Sequence, residues 1–139
     1  MAASDRIEHP DSVAIVAVDG EEIVLVRQTR WGARGKVLEI PSGKLEDGET
    51  PPEAAARELA EECALGAHEW RELGSFWAAP AYSTEYVHVF SATGLYAVDP
   101  GVLDDDEDIE VERRSLAADL RGLEDAISVG AIALYRAQL

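Results

Sequence analysis

Residues 50–65, TPPEAAARELAEECAL, admit one local structure, a helix whose start is fixed by its own side chains. Thr50 can accept a hydrogen bond at the N-cap, and Pro51 stands at the first helical position, where a missing N–H costs nothing. Glu53 completes a T-x-x-E capping box. Residues 54–64 then supply strong helix formers. At about 3.6 residues per turn, Ala55, Leu59 and Cys63 share a face suited to packing on a sheet. Glu58, Glu61 and Glu62, at i, i+3 and i+4, share another. Like charges at that spacing cost about a few tenths of a kcal/mol per pair on an exposed helix. Two readings are open: a solvated acidic face, or a seat for a hard divalent cation. Magnesium suits the second, because it keeps several waters and takes one or two carboxylates together with substrate phosphates; manganese is the substitute.

The flanking sequence reads as strands. Residues 12–18 (SVAIVAV) and 22–28 (EIVLVRQ) are short, β-branched and apolar, and Asp19-Gly20 between them is a hairpin turn signal. Residues 36–40 make a further strand closed by Pro41, and residues 42–49 form a glycine-bearing loop without apolar periodicity. Strands are expected over 70–77, 86–98 with a kink at Gly94, and 109–114. Asp99-Pro100-Gly101 reads as a turn, and Ser115 as the cap of a helical region running to Leu139. Strands and helices mix without regular βαβ alternation, so the expected fold is a single α/β domain over residues 1–139 with a mixed sheet.

Composition bounds the function. A formal charge of −16 speaks against a protein that coats nucleic acid, since polyanions repel each other without a basic stripe. Six of the twelve cations (Arg27, Arg30, Arg34, Lys36, Lys44 and Arg57) fall between positions 27 and 57, where a small phosphate-bearing ligand would be met. No apolar run approaches the roughly 18 residues of a membrane span. Cys63 is the only cysteine, which rules out an intrachain disulfide and makes a reducing cytoplasm the natural compartment. His9, His68 and His88 show no metal-ligand spacing and read as structural or exposed. The acidic run 104–110 lacks the glycine and the distal glutamate of a calcium loop and reads as a solvated loop. Trp31 and Trp77 read as core aromatics or as stacking platforms for a base, and no nucleophile motif surrounds Ser42 or Ser83.

Residues 43–65 can be written G-x5-E-x7-R-E-L-x-E-E-x-A-L, from Gly43 through Glu49, Arg57, Glu58, Glu61 and Glu62 to Leu65. This closely resembles the Nudix box, departing only at Ala64, where the family carries glycine. That glycine ends the helix in a left-handed conformation, in which alanine costs on the order of 1 kcal/mol. The helix is therefore expected to run slightly further and to stop at Gly66. The upstream stretch Leu38-Glu39-Ile40-Pro41-Ser42-Gly43-Lys44-Leu45-Glu46 resembles the ADP-ribose pyrophosphatase branch, as do Val26-Arg27-Gln28-Thr29-Arg30 and the loop Ala79-Pro80-Ala81-Tyr82-Ser83-Thr84-Glu85.

The resemblance implies an α/β/α sandwich with the acidic helix packed against a mixed sheet. It also implies magnesium-dependent cleavage of a phosphoanhydride bond in a nucleoside diphosphate derivative, ADP-ribose or a related nucleotide sugar, giving AMP and a sugar phosphate. At the matching positions, Glu58 and Glu62 become metal ligands, Glu61 a third ligand or one acting through water, and the Ser42 carbonyl a backbone ligand. Arg57 would hold the carboxylates through Glu61 or Glu49. Glu85 is the candidate general base, with Glu61 as the alternative. Arg30 and then Arg27 are expected on the diphosphate, since guanidinium forks match phosphate oxygens. Glu39 would hold the terminal sugar or support the metal, and Lys44 would assist binding. A homodimer is implied by the same branch. A triphosphate or oxidised-nucleotide pyrophosphohydrolase, and a nucleotide-sugar sensor that does not cut, are the competing functions. The complete carboxylate set speaks against the sensor.

Overall fold

The computed structural model describes residues 5–100, 108–118 and 120–139. In chain order the elements are β1 (Ser12–Asp19), β2 (Glu22–Arg30), β3 (Gly35–Glu39), β4 (Ser42–Lys44), α1 (Pro51–Cys63), β5 (Leu65–Trp77), β6 (Tyr86–Ala97), β7 (Ile109–Ser115) and α2 (Ala126–Ala137). Seven strands form one sheet ordered β3-β2-β1-β6-β5, with β4 added to β1 and β7 to β2. The β1–β6 pair is parallel and the other pairs are antiparallel, so the sheet is mixed.

The unbroken apolar run of β1 has a simple cause: both of its faces are covered. Val13, Ile15 and Ala17 pack with Ala54, Ala55 and Leu59 of α1. Ala14, Val16 and Val18 alternate to the other face and pack with Ala131 and Ile132 of α2. The result is the α/β/α sandwich the resemblance implies, with the acidic helix on one face. Among the described residues no helix is long and apolar enough to cross a membrane.

The capping box forms as read. Thr50 Oγ1 accepts from the Glu53 amide at 3.4 Å, and Glu53 Oε1 accepts from the Thr50 amide at 3.2 Å. At the other end the structure corrects the expected extension. The helix stops at Cys63, and Ala64 itself takes the left-handed conformation (φ 55, ψ 40), its N–H donating to Ala60 O. Gly66 is not free to end the helix, because Leu65 and Gly66 are already paired with Ala97 and Tyr96 in the sheet. Gly66 also lies against the Tyr96 ring, where a Cβ would come within 2.6 Å of Cζ. Sheet pairing thus outweighs the local strain at Ala64. Ala64→Gly should relieve that strain and stabilise the protein by about 0.5–1 kcal/mol, a rise of a few degrees in Tm by calorimetry. An unchanged or lower Tm would contradict this account of the helix end.

Other departures are local. Residues 42–44, expected in a loop, pair with β1 as β4 through Ser12↔Lys44, Val13↔Gly43 and Ala14↔Ser42. β5 begins at Leu65, five residues before the expected strand. The C-terminal helix is shorter than expected: Ser115 ends β7, and Asp125 caps α2 by accepting from the Ser128 amide at 3.0 Å. Trp31 is 95% exposed on a single 3-10 turn after β2, so it is not a core aromatic. Trp77 packs on Tyr86 at 4.6 Å between ring centres, and Gly94 takes φ 64 within β6. Gly101 of the expected turn, and positions 104–107 of the acidic run, lie outside the described residues.

Candidate active site

α1 presents its polar flank to β4 and to the loop between them, and Arg57 organises that flank. Its Nε and Nη2 donate to the two carboxylate oxygens of Glu49 at 2.7 and 2.9 Å. Nη2 also donates to Lys44 O at 2.9 Å. Nη1 reaches Glu58 Oε1 at 2.9 Å and Glu61 Oε2 at 3.1 Å. One guanidinium therefore ties the loop after β4 to the helix and spreads positive charge among three carboxylates. The Arg57 fork and the Glu46 amide hold the Glu49 carboxyl well below its usual range, at about 2. In return, Glu49 and then Glu58 hold the Arg57 proton more firmly than usual.

Glu58 lies across Gly43, where a Cβ would come within 2.1 Å of the Glu58 carboxyl carbon. The absence of a side chain at position 43 is what lets the Glu58 carboxylate reach the strand. Burial is the main reason its pKa is raised, against the lowering effect of hydrogen bonds from Glu62 and Arg57. Glu58 and Glu62 thus stand together, partly buried, in a contact that needs a proton or a cation between the two carboxyl groups.

Both carboxylates line a cleft of about 580 Å³. Ser42, Gly43 and Lys44 of β4 form its floor beside them, and Arg30 and Glu39 close one side. Glu85 lines it as well, with its carboxylate held by Ser12 Oγ, which donates to Oε2 at 2.6 Å. Arg30 forks onto Glu39 through Nε and Nη2 at 2.8 and 3.0 Å, and this pairing raises its pKa further. Glu39 is buried, whereas the Arg30 side chain is 46% exposed.

The cleft therefore gathers Glu58, Glu62, Ser42, Lys44, Glu85, Arg30 and Glu39 from four separate stretches of chain. It does not gather Arg57, Glu61 or Arg27. Arg57 stands behind the carboxylates, and Glu61 is 44% exposed with an oxygen on Arg57. Arg27 pairs with Glu112 at 2.8 Å and lines a neighbouring cavity that touches the cleft at Arg30, Glu39 and Asp125. Among the described residues no three carboxylate, histidine or cysteine side chains converge into a closed metal cage. Two adjoining, partly buried carboxylates beside β4 suit a hard divalent ion that completes its shell with water and phosphate.

A NUDIX domain profile matches residues 8–129. The chain belongs to the Nudix family. It is 38% identical over 120 residues to an ADP-ribose pyrophosphatase of Bacillus subtilis (strain 168), covering 85% of this chain and 65% of that protein. It is 37% identical over 107 residues to a methanol dehydrogenase activator of Bacillus methanolicus, covering 76% of this chain and 58% of that one. The chain thus spans slightly less than two thirds of the length of these curated relatives. A solved structure of an ADP compounds hydrolase superposes with a TM-score of 0.83 at 29% identity, covering 93% of this chain and 72% of the other. Nudix ADP-ribose pyrophosphatases generally use divalent metals.

The Nudix cleft also holds residues that motif reading passed over. Ser12, His9, Tyr82 and Asp125 all line it. Ser12 opens the apolar run of β1, and a lone hydroxyl at its head was the available signal; in the structure it is buried, at 3% exposure. His9, read as structural or exposed, lies on the cleft wall with Nδ1 3.9 Å from Glu85 Oε2. Asp125 becomes visible only once α2 is known to begin there. Cys63, on α1 next to Glu62, is kept as an inert thiol, its pKa pushed up to about 12 by burial and then by the Glu62 charge.

Proposed function

We propose that this chain is a magnesium-dependent Nudix pyrophosphatase that cuts the phosphoanhydride bond of a nucleoside diphosphate sugar, ADP-ribose foremost, giving AMP and a sugar phosphate. The observation that carries the reading is the cleft itself, in which two partly buried carboxylates, an arginine fork and a separately held glutamate face one space. The likeness to an ADP-ribose pyrophosphatase of Bacillus subtilis and to an ADP compounds hydrolase supports the same substrate class.

Glu58 and Glu62, with the Ser42 carbonyl, would hold the divalent ion, and manganese would serve in its place. When bound, that ion supplies positive charge against the phosphate oxygens. Glu61 supports this set from outside the cleft through Arg57, which keeps the carboxylates oriented. Arg30 grips the diphosphate with its exposed edge while Glu39 fixes its plane. Lys44 adds charge at the floor, and Arg27 adds it from the adjoining cavity. Glu85 takes the proton of the attacking water, being a carboxylate on the wall away from the α1 set. All of this belongs to one domain over residues 1–139, acting in the cytoplasm and, following the branch, as a homodimer.

Incubation with ADP-ribose and magnesium, in parallel with other sugar nucleotides, dinucleoside polyphosphates and dNTPs, tests the reading by product chromatography. AMP and ribose 5-phosphate in equal amounts, formed fastest from ADP-ribose, are expected. Binding of ADP-ribose without cleavage would turn the reading to a sensor, and faster release of pyrophosphate from dNTPs would move the substrate class.

A further inference from the structure

Ser12 is one of four polar residues buried among the described positions, with Glu39, Ser91 and Ser128. Ser128 has an architectural task, accepting from the Ile40 amide at 2.9 Å, and Glu39 has Arg30. Ser12 does something else: its hydroxyl donates into the cleft, to Glu85 Oε2 at 2.6 Å. Its backbone could not be better anchored. As the first residue of β1 it pairs with Lys44 of β4 on one side and Val87 of β6 on the other. The strand bearing the glycine of the Nudix box and the strand that follows Glu85 therefore meet at this serine.

The segment just before Ser12 grips the Glu85 loop as well. The Ile7 amide donates to Tyr82 O at 2.7 Å, and the Thr84 amide to Ile7 O at 3.0 Å. The His9 amide donates to Thr84 Oγ1 at 2.8 Å, and that hydroxyl donates back to His9 O at 3.1 Å. The His9 ring lies with Nδ1 2.6 Å from Pro10 O. A carbonyl oxygen only accepts, so Nδ1 carries the proton and the ring is fixed beside Glu85.

We infer that Ser12 is a positioning residue for Glu85, and that the strap of residues 7–12 exists to hold that carboxylate at one angle. A carboxylate on a loop loses rate when it samples several rotamers. A hydroxyl planted on the central strand removes that freedom at Oε2 and leaves Oε1 for the water. The inference rests on Glu85 being the general base, and a double-mutant cycle tests the two separately.

Four proteins are compared at saturating magnesium and ADP-ribose: the parent, Ser12→Ala, Glu85→Gln and the double variant. Each is checked for an unchanged melting transition, with Ser12→Thr as the variant that keeps the hydroxyl. Glu85→Gln should cost about a hundredfold or more in kcat. Ser12→Ala should cost about tenfold in kcat with KM within twofold, and Ser12→Thr should recover most of it. In the Glu85→Gln background Ser12→Ala should change kcat by less than about twofold, because nothing is left to position. An equal loss from Ser12→Ala in both backgrounds, or none in either, overturns the role of Ser12 while leaving Glu85 in place. An unchanged kcat in Glu85→Gln removes the base and the inference together.

Discussion

Glu62→Gln lowers kcat for ADP-ribose by about a thousandfold and leaves the protein at least as stable as the parent. The two halves of this expectation have one cause. Glu58 and Glu62 are i, i+4 neighbours on α1, in hydrogen-bonding contact and lining the same cleft, and burial already raises the Glu58 pKa. Glutamine keeps the size and offers an N–H to the Glu58 carboxylate, so the contact is kept without a proton having to be held between two carboxyl groups. The same exchange takes away half of the charge that would hold a divalent ion. Steady-state kinetics over a magnesium titration and a melt without divalent ion read the two effects independently. Comparable turnover by Glu62→Gln would mean that the carboxylate pair is only a polar surface of α1.

Arg57→Ala destabilises the protein by about 2–4 kcal/mol, or about 10 °C in Tm. The side chain is 21% exposed and makes five hydrogen bonds, to Glu49, Glu58, Glu61 and Lys44 O. Its removal leaves three carboxylates facing one another and releases the loop after β4 from the helix. Arg57→Lys should recover less than half of the loss, because a single ammonium cannot occupy both prongs of Glu49 while reaching Glu58. Thermal unfolding of the two variants beside the parent checks this. A loss within about 0.5 kcal/mol, the range of an exposed ion pair, would show that Arg57 is a surface charge.

These expectations show where the sequence was informative. The start of α1 could be read in full, because Thr50, Pro51 and Glu53 act within one turn of each other. β1 could be read as a strand, since an unbroken β-branched run has no better local alternative. What escaped depends on distant pairing. Ser42-Gly43-Lys44 has no strand pattern and becomes β4 only because β1 offers it an edge. The start of α2 moved from Ser115 to Asp125 because β7 claims Ser115 for pairing with Glu22. Ala64 was misjudged for the same reason: its left-handed turn is unfavourable alone, and the sheet register beyond it leaves no other route. In the cleft, motif spacing singled out the residues of α1 and β4. The side chains beside the Glu85 carboxylate come from residues 9 and 12, more than 70 positions away, and no local rule joins them.

A crystal grown with magnesium and a non-hydrolysable α,β-methylene analogue of ADP-ribose addresses the central claim directly. The account requires the ion on the Glu58 and Glu62 carboxylates, with the diphosphate between it and Arg30 and with Glu85 facing the attacked phosphorus. An ion and analogue bound elsewhere, with Glu58 still lying on Gly43 and hydrogen-bonded to Arg57, would contradict it.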